Sequence, residues 1–119
     1  ARKQQHLVRG DAYAAAGQLP EAIIEYRNAV QIDPAFGDAR ARLAEAYEQS
    51  GNLSAAFQEY VRAADLRQDD IALQLKAGQF LLLAARFDEA RGKAQRVLDR
   101  DPRHAQAHLL LGNAWAGLK

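Results

Sequence analysis

A repeat of 34 residues runs through the chain and constrains its fold more than any other feature. Sets of small and of large residues recur at this interval in one register: Gly10, Ala44, Gly78 and Gly112; Tyr13, Tyr47, Leu81 and Trp115; Gly17, Gly51 and Ala85; Ala22, Ala56 and Ala90. Sets that share one register are typical of an array of stacked structural repeats. The 119 residues are therefore predicted to form a single repeat array.

The residue pattern within each repeat predicts two antiparallel helices. Arg40, Leu43 and Tyr47 share one helical face at positions i, i+3 and i+7, and Gly51 then interrupts the pattern. The second helix continues along a stripe of small and aromatic residues: Ala56, Phe57, Tyr60, Ala63 and Ala64. The small residues of the first and fourth sets are expected where the two helix axes approach closely. No segment shows sustained alternation of apolar and polar residues, so the predicted fold class is all-α.

The ends of the second helices are marked by capping and helix-breaking residues. Ser54 and Asp88 are predicted to be N-caps, because their side-chain oxygens can accept from free backbone amides. Pro20 fits the first turn of a helix, where no intrahelical partner is lost. Pro34 and Pro102 are predicted to end helices, because the residue before proline avoids the α conformation.

These positions resemble the tetratricopeptide repeat, whose motif runs W-x2-L-G-x2-Y, then A-x3-F, A and P. The second unit matches it with Arg40, Leu43, Ala44, Tyr47, Ala56, Tyr60 and Ala63, and the fourth with His108, Leu111, Gly112 and Trp115. The resemblance covers full repeats at residues 3–36, 37–70 and 71–104, and a first helix at 105–119. It implies antiparallel helix hairpins stacked in a right-handed superhelix.

The resemblance also implies a concave groove, lined by the first helices, that binds a segment of another protein. The groove positions that would contact such a segment are Leu7, Asp11, Asp38, Arg42, Glu45, Glu48, Leu75, Gln79, Leu82, Leu83, Leu109 and Asn113. The first half of this set is acidic and the second half is apolar, so the expected ligand has basic residues beside an apolar anchor. The alternative is that the carboxylates only solvate the surface and that Leu82 and Leu83 pack within the array.

One subclass of these proteins holds a partner's C-terminal carboxylate with lysine, asparagine and arginine side chains. The matching positions here are Leu7, Asp11, Arg42, Ala72 and Lys76. Only Arg42 and Lys76 could bind an anion, and Asp11 would repel one. The sequence therefore does not predict a carboxylate clamp.

Catalytic and cofactor sites are not predicted. The chain has no cysteine and no threonine, and its only serines are Ser50 and Ser54. His104 and His108 have a spacing that can place two ligands on one helix face, yet no third ligand accompanies them. The chain also lacks the glycine-rich stretches that bind phosphates. We therefore expect no enzyme activity, no metal and no cofactor.

Charge and hydropathy argue against nucleic-acid and membrane partners. Lys and Arg number 16 against 15 Asp and Glu, for a net charge of +1, whereas nucleic-acid binders normally show a basic excess. The longest strongly apolar run, at 80–85, is much shorter than the ~20 residues of a membrane-spanning helix. The lack of methionine and of a signal peptide suggests a processed form or an excised fragment. The compartment stays open between cytoplasm and periplasm or envelope, and the alanine- and arginine-rich repeats are similar to bacterial arrays.

The C-terminal segment has the pattern of a first helix that lacks a second helix to pack on. Its apolar residues include Leu109, Leu111, Trp115 and Leu118. This pattern predicts self-association through the C-terminal helix. Two alternatives to a groove-binding scaffold therefore stay open: an assembly module that acts through its terminal helices, and a regulatory domain of a larger protein whose enzyme lies elsewhere.

Overall fold

The computed structural model describes residues 2–119, and these residues form helices joined by short turns. The helices are α1 (Arg2–Ala15), α2 (Leu19–Ile32), α3 (Gly37–Gln49), α4 (Leu53–Leu66), α5 (Ile71–Leu83), α6 (Phe87–Arg100) and α7 (Ala105–Gly117). No strand occurs in this part of the chain. The predicted all-α class is confirmed.

The chain divides into two compact units, Ala1–Leu66 and Arg67–Lys119. In the first unit α1 packs on α2 and α3 packs on α4, while α2 also contacts α3. In the second unit α6 lies against both α5 and α7. The predicted repeats therefore correspond to helix hairpins, with α7 as the additional first helix.

The turn inside each hairpin uses the left-handed backbone conformation. Gly17, Gly51 and Ala85 have φ angles of 77°, 85° and 60°. The next amide then bonds to a carbonyl five residues earlier, as in Gln18 N to Tyr13 O and Arg86 N to Leu81 O, both at 2.9 Å. This geometry satisfies carbonyls at the end of the first helix, and it explains why glycine occupies two of the three positions.

The second helices begin one residue before the positions that were predicted to cap them. α4 starts at Leu53 and α6 at Phe87, so Ser54 and Asp88 lie inside the first turn and the prediction of their capping role is wrong. In α4 the side chain of Asn52 accepts from the backbone N of Ala55 at 3.3 Å instead. The six-residue hydrogen-bonded turn ends at this residue, which leaves it at the capping position.

The predicted helix-breaking prolines are confirmed. α2 ends at Ile32 with Asp33 as its C-cap, and α6 ends at Arg100 with Asp101 as its C-cap. Pro20 lies in the first turn of α2, where its missing amide costs no hydrogen bond.

The small residues of the repeat lie where helices touch. Ala22, Ala56 and Ala90 are fully buried. A Cβ atom added at Gly10 would overlap the ring of Tyr26, and one added at Gly78 would lie 3.3 Å from the Cβ of Lys93. The expectation of a close approach is thus confirmed at Gly10 and Gly78. At Gly112 no atom of the described residues lies within 4 Å of such a Cβ, so the close approach is not seen there.

The tryptophan position of the motif is occupied here by polar residues that bond across the hairpin. His6 Nδ1 lies 2.7 Å from Glu25 Oε1, and Arg40 Nη1 lies 2.7 Å from Glu59 Oε1, each pair 19 residues apart. In the second unit Gln74 of α5 is 1% exposed, and its Oε1 accepts from Arg96 Nη1 of α6 at 3.3 Å. Each hairpin of the array is therefore joined by a polar contact as well as by apolar packing.

Candidate binding surfaces

Two buried phenols orient carboxylates on the first helices of the first unit. Tyr26 of α2 donates from its hydroxyl to Asp11 Oδ1 of α1 at 2.7 Å, and Tyr60 of α4 donates to Glu48 Oε1 of α3 at 2.6 Å. Burial, together with the accepting carboxylate, raises the pKa of both tyrosines well above their usual range. The phenols therefore stay protonated and keep donating at physiological pH.

A third carboxylate completes this group, which we call the acidic surface: Asp11, Glu45 and Glu48. Glu45 lies on α3 three residues before Glu48, is exposed, and its negative charge helps to raise the pKa of both Tyr26 and Tyr60. Arg42 Nη1 lies 3.1 Å from Asp11 Oδ2 and ties α3 to α1. Three carboxylates against one guanidinium leave this surface with a negative charge.

Two other groove positions predicted in the first unit, Asp38 and Leu7, lie outside the acidic surface. Asp38 is half-buried in the first turn of α3. The positive end of the helix dipole stabilises a carboxylate at that position. Leu7 is only 6% exposed and packs in the core of the unit with Tyr26 and Leu43. Its side chain belongs to the core, so it is not offered to a ligand.

The first helices of the second unit expose apolar and neutral side chains. Leu83 of α5 and Leu109 of α7 are 85% and 66% exposed, and we call these two residues the exposed leucines. Gln79 and Asn113 are exposed as well. Leu75, by contrast, is buried in the core with Val97 and Leu110, and Leu82 is half-buried against the same cluster. The alternative that Leu82 packs inside the array agrees with this burial, whereas Leu83 faces solvent.

The phenol–carboxylate pairs are the feature that sequence reasoning missed. Tyr60 was placed on the second-helix stripe, and Tyr26 holds the same repeat position, with no partner expected for either hydroxyl. A buried hydroxyl needs an acceptor, and the acidic residues Asp11 and Glu45 recur at the same interval as the tyrosines. This signal indicates Asp11 as the partner of Tyr26, but it would assign Glu45 to Tyr60, whose acceptor is Glu48.

The histidines that could have suggested a metal site have other partners. His104 Nδ1 accepts from the backbone N of Ala107 at 3.3 Å as the N-cap of α7, and His108 Nε2 lies 2.7 Å from the carbonyl of Pro102. Within residues 2–119 the structure contains no group of three or more metal-ligating side chains. Over the same residues, no helix has both the length and the apolar character to cross a membrane.

Comparison with known families supports the repeat pattern over nearly all of its length. Sequence models described as TPR repeat and tetratricopeptide repeat match residues 10–51, 37–70 and 75–119. The chain carries tetratricopeptide repeats. The motif positions correspond to the helix hairpins and to the small residues packed between their helices.

Curated relatives of this tetratricopeptide array include the human DnaJ homolog subfamily C member 3. The two are 31% identical over 112 residues, which is 90% of this chain and 22% of the relative. The relatives found are vertebrate proteins, among them those of cattle and chicken. The expectation of a bacterial source therefore finds no support in them. The chain spans about a fifth of the length of these relatives.

Solved structures confirm the fold. The TPR domain of P58(IPK) gives a TM-score of 0.80 at 30% identity, covering 98% of this chain and 33% of that one. The first TPR domain of Spaghetti (RPAP3) gives 0.74 at 21% identity, covering 98% of this chain and 93% of that one. The second structure holds an HSP90 peptide, SRMEEVD. At this identity the likeness concerns the fold alone.

Proposed function

We propose that this tetratricopeptide array is a scaffold that binds segments of other proteins through its first helices and performs no chemistry itself. The acidic surface carries this proposal. Two of its three carboxylates, those of Asp11 and Glu48, are oriented by buried phenols, and oriented charge favours specific recognition over mere solvation. The HSP90 peptide bound to the RPAP3 domain supports the proposal, because a similar fold there holds a peptide.

The chemistry of the surfaces defines the ligand. Glu45 is exposed and forms no hydrogen bond or ion pair with the rest of residues 2–119, so its carboxylate is available to a lysine or arginine of a partner. Leu83 and Leu109 offer apolar contacts. We infer that the first unit selects basic residues of a ligand and that the second unit selects apolar side chains. Charge steers association and apolar burial supplies affinity.

A peptide-binding measurement tests this function. Fluorescence anisotropy would follow labelled peptides that combine lysine or arginine with leucine, and the same peptides with glutamine in place of the basic residues. We expect Glu45→Lys to weaken binding of the basic peptides about tenfold, because one attraction is replaced by one repulsion. Glu21→Lys makes the same change of charge at an exposed position of α2 and should leave binding unchanged. Equal effects of the two variants would contradict the proposal.

Self-association through α7 is the second candidate function. The side of α7 at Gly112 is open, and Leu109, Trp115 and Leu118 of the same segment are exposed. In the first unit the corresponding side of α1 at Gly10 is covered by Tyr26 of α2. An uncovered helix face with large apolar side chains favours association with another helix.

Light scattering across a concentration series tests self-association. We expect the mass of the wild-type chain to rise with concentration and that of Trp115→Ser to rise much less. Leu53→Ser is the matched control, because Leu53 is a similarly exposed apolar residue on α4. A wild-type chain that stays monomeric throughout would rule this function out.

A further inference from the structure

A cleft in the first unit lies between the second helices, on residues that the proposed function does not use. Its walls come from α2 and α4 and its floor from α3, and it encloses about 580 Å³. Volumes of this size are typical of sites that bind ligands. Four lining side chains are charged: Arg27, Arg40, Glu59 and Arg62. We call this feature the arginine cleft.

The floor of the arginine cleft is fixed by a buried ion pair. Arg40 and Glu59 lie 2.7 Å apart, and each side chain is 11% exposed. Arg40 also donates from Nε to the carbonyl of Pro34 at 2.8 Å. A buried pair with additional hydrogen bonds holds its geometry, so Arg40 and Glu59 neutralise each other and form a rigid base.

The walls carry the excess positive charge. Arg27 on α2 is exposed and forms no ion pair within residues 2–119. Arg62 on α4 is 59% exposed and lies 3.6 Å from Glu59 Oε2, a carboxylate that Arg40 already occupies. Three guanidinium groups against one carboxylate leave the cleft two positive charges in excess.

Neutral groups complete the lining and favour a peptide as the occupant. Asn28 and Gln31 on α2 have side-chain amides that can both donate to and accept from a peptide backbone. Ile24, also on α2, is 57% exposed and offers an apolar contact at the same wall. Guanidinium groups bind carboxylates with two parallel hydrogen bonds, which gives direction as well as charge.

We propose that the arginine cleft binds an acidic segment of a partner protein, with carboxylates facing Arg27 and Arg62 and an apolar side chain against Ile24. This site has the opposite charge preference to the acidic surface and lies on other helices. The chain therefore has two recognition surfaces with ligands of opposite sign. Because each selects its own peptides, failure of one site leaves the other untouched.

Anisotropy with labelled acidic peptides tests the arginine cleft. The probes are capped peptides that contain two glutamates at varied spacing beside a leucine, and their glutamine analogues. We expect at least one acidic peptide to bind and the Arg27→Gln/Arg62→Gln variant to weaken it about tenfold. The control, Arg9→Gln/Arg103→Gln, removes the same charge from exposed positions elsewhere. It should change the affinity for the peptide by less than about twofold, because distant exposed charges contribute little to binding.

Any of three results would overturn the proposal. They are that no acidic peptide binds, that the control variant weakens binding as much as the cleft variant, or that the glutamine analogues bind as well as the acidic peptides. Inorganic phosphate serves as a competitor at matched ionic strength. Displacement of the peptide by phosphate, with phosphate itself bound, would show a site for small anions in place of a peptide site. Circular dichroism of each variant confirms that its helices are intact.

Discussion

Asp11 and Glu45 in the first unit occupy the same position of the repeat as Gln79 and Asn113 in the second. One position of the second helix changes in parallel, from Tyr26 and Tyr60 to Ala94. Tyr26 donates to Asp11 and Tyr60 donates to Glu48, three residues after Glu45, whereas Ala94 is fully buried and needs no acceptor.

In this repeat, the residues that pack the helices differ from the residues that determine the exposed surface. Ala22, Ala56 and Ala90 are fully buried in both units and maintain the same helix packing. The charge of the exposed surface changes through a few positions around that packing. A surface in such an array is thus set jointly by an exposed residue of the first helix and a buried residue of the second.

The largest expected difference between the units lies in the polar contact across the hairpin. Arg40→Leu should lower the free energy of unfolding by about 3 kcal/mol, because the buried Glu59 loses its closest partner and keeps only the exposed Arg62 at 3.6 Å. At the same repeat position Gln74→Leu should cost about 1.5 kcal/mol, because it removes hydrogen bonds with Arg67 and Arg96 but no ion pair. Urea denaturation measures both, and equal losses would contradict the difference. The double variant Arg40→Leu/Glu59→Leu should recover most of the loss.

The next effect concerns the small residue of the first helix. Gly10→Ala should destabilise the first unit by about 2 kcal/mol, because its Cβ would overlap the ring of Tyr26. Gly112→Ala, at the same repeat position, should stabilise α7 by about 0.8 kcal/mol, because the site is open and alanine favours the helix. Thermal unfolding followed by circular dichroism separates the two. A loss of stability in Gly112→Ala would show that its open side is covered in solution.

A smaller effect distinguishes the hairpin turns. Ala85 has a φ of 60°, a conformation that costs a residue with a Cβ about 1 kcal/mol relative to glycine. Ala85→Gly should therefore stabilise the second unit by about that amount. The converse variant, Gly51→Ala, should destabilise the first unit equally, and chemical denaturation would show the opposite signs. Two changes of the same sign would contradict this account of the turn.

The smallest effect near neutral pH belongs to the phenols of the first unit. Their pKa values are raised in the folded state, so the unfolded chain loses these protons first as pH rises. The stability due to the phenols is complete below about pH 10, the ordinary tyrosine value, and declines above it. Tyr26→Phe/Tyr60→Phe should flatten this decline in denaturation series at increasing pH. An unchanged slope would mean that the two phenols titrate normally.

Much of the fold could be predicted because the motif records which residues must be small. The interval of 34 residues located each hairpin, and Pro34 and Pro102 located the ends of α2 and α6. The capping residue of α4 was missed because the positive φ of Gly51 completes the turn at Asn52. The capping residue depends on the backbone hydrogen bonds of the turn, which cannot be predicted from the periodicity of the side chains.

The binding surfaces were predicted less completely because position in a repeat does not determine exposure. Leu7 and Leu75 occupy one repeat position and are both buried, whereas Leu109, at the same position in α7, is exposed. Glu45 and Glu48 both lie on α3, the first helix of the second predicted repeat. The phenols that orient Asp11 and Glu48 come from the second helices, and the bond from Tyr60 to Glu48 depends on packing that the repeat interval does not encode.

Site-specific photo-crosslinking tests the central claim, recognition through the first helices, most directly. Benzoylphenylalanine would replace Glu45 or Leu83 on the first helices, and Gln95 or Asp99 at exposed positions of the second helix α6, away from the arginine cleft. The chains would then be irradiated in lysate of the source cells. The account predicts a discrete adduct from positions 45 and 83 that is absent at 95 and 99. Adducts of equal yield from all four positions, or from the control positions alone, would contradict it.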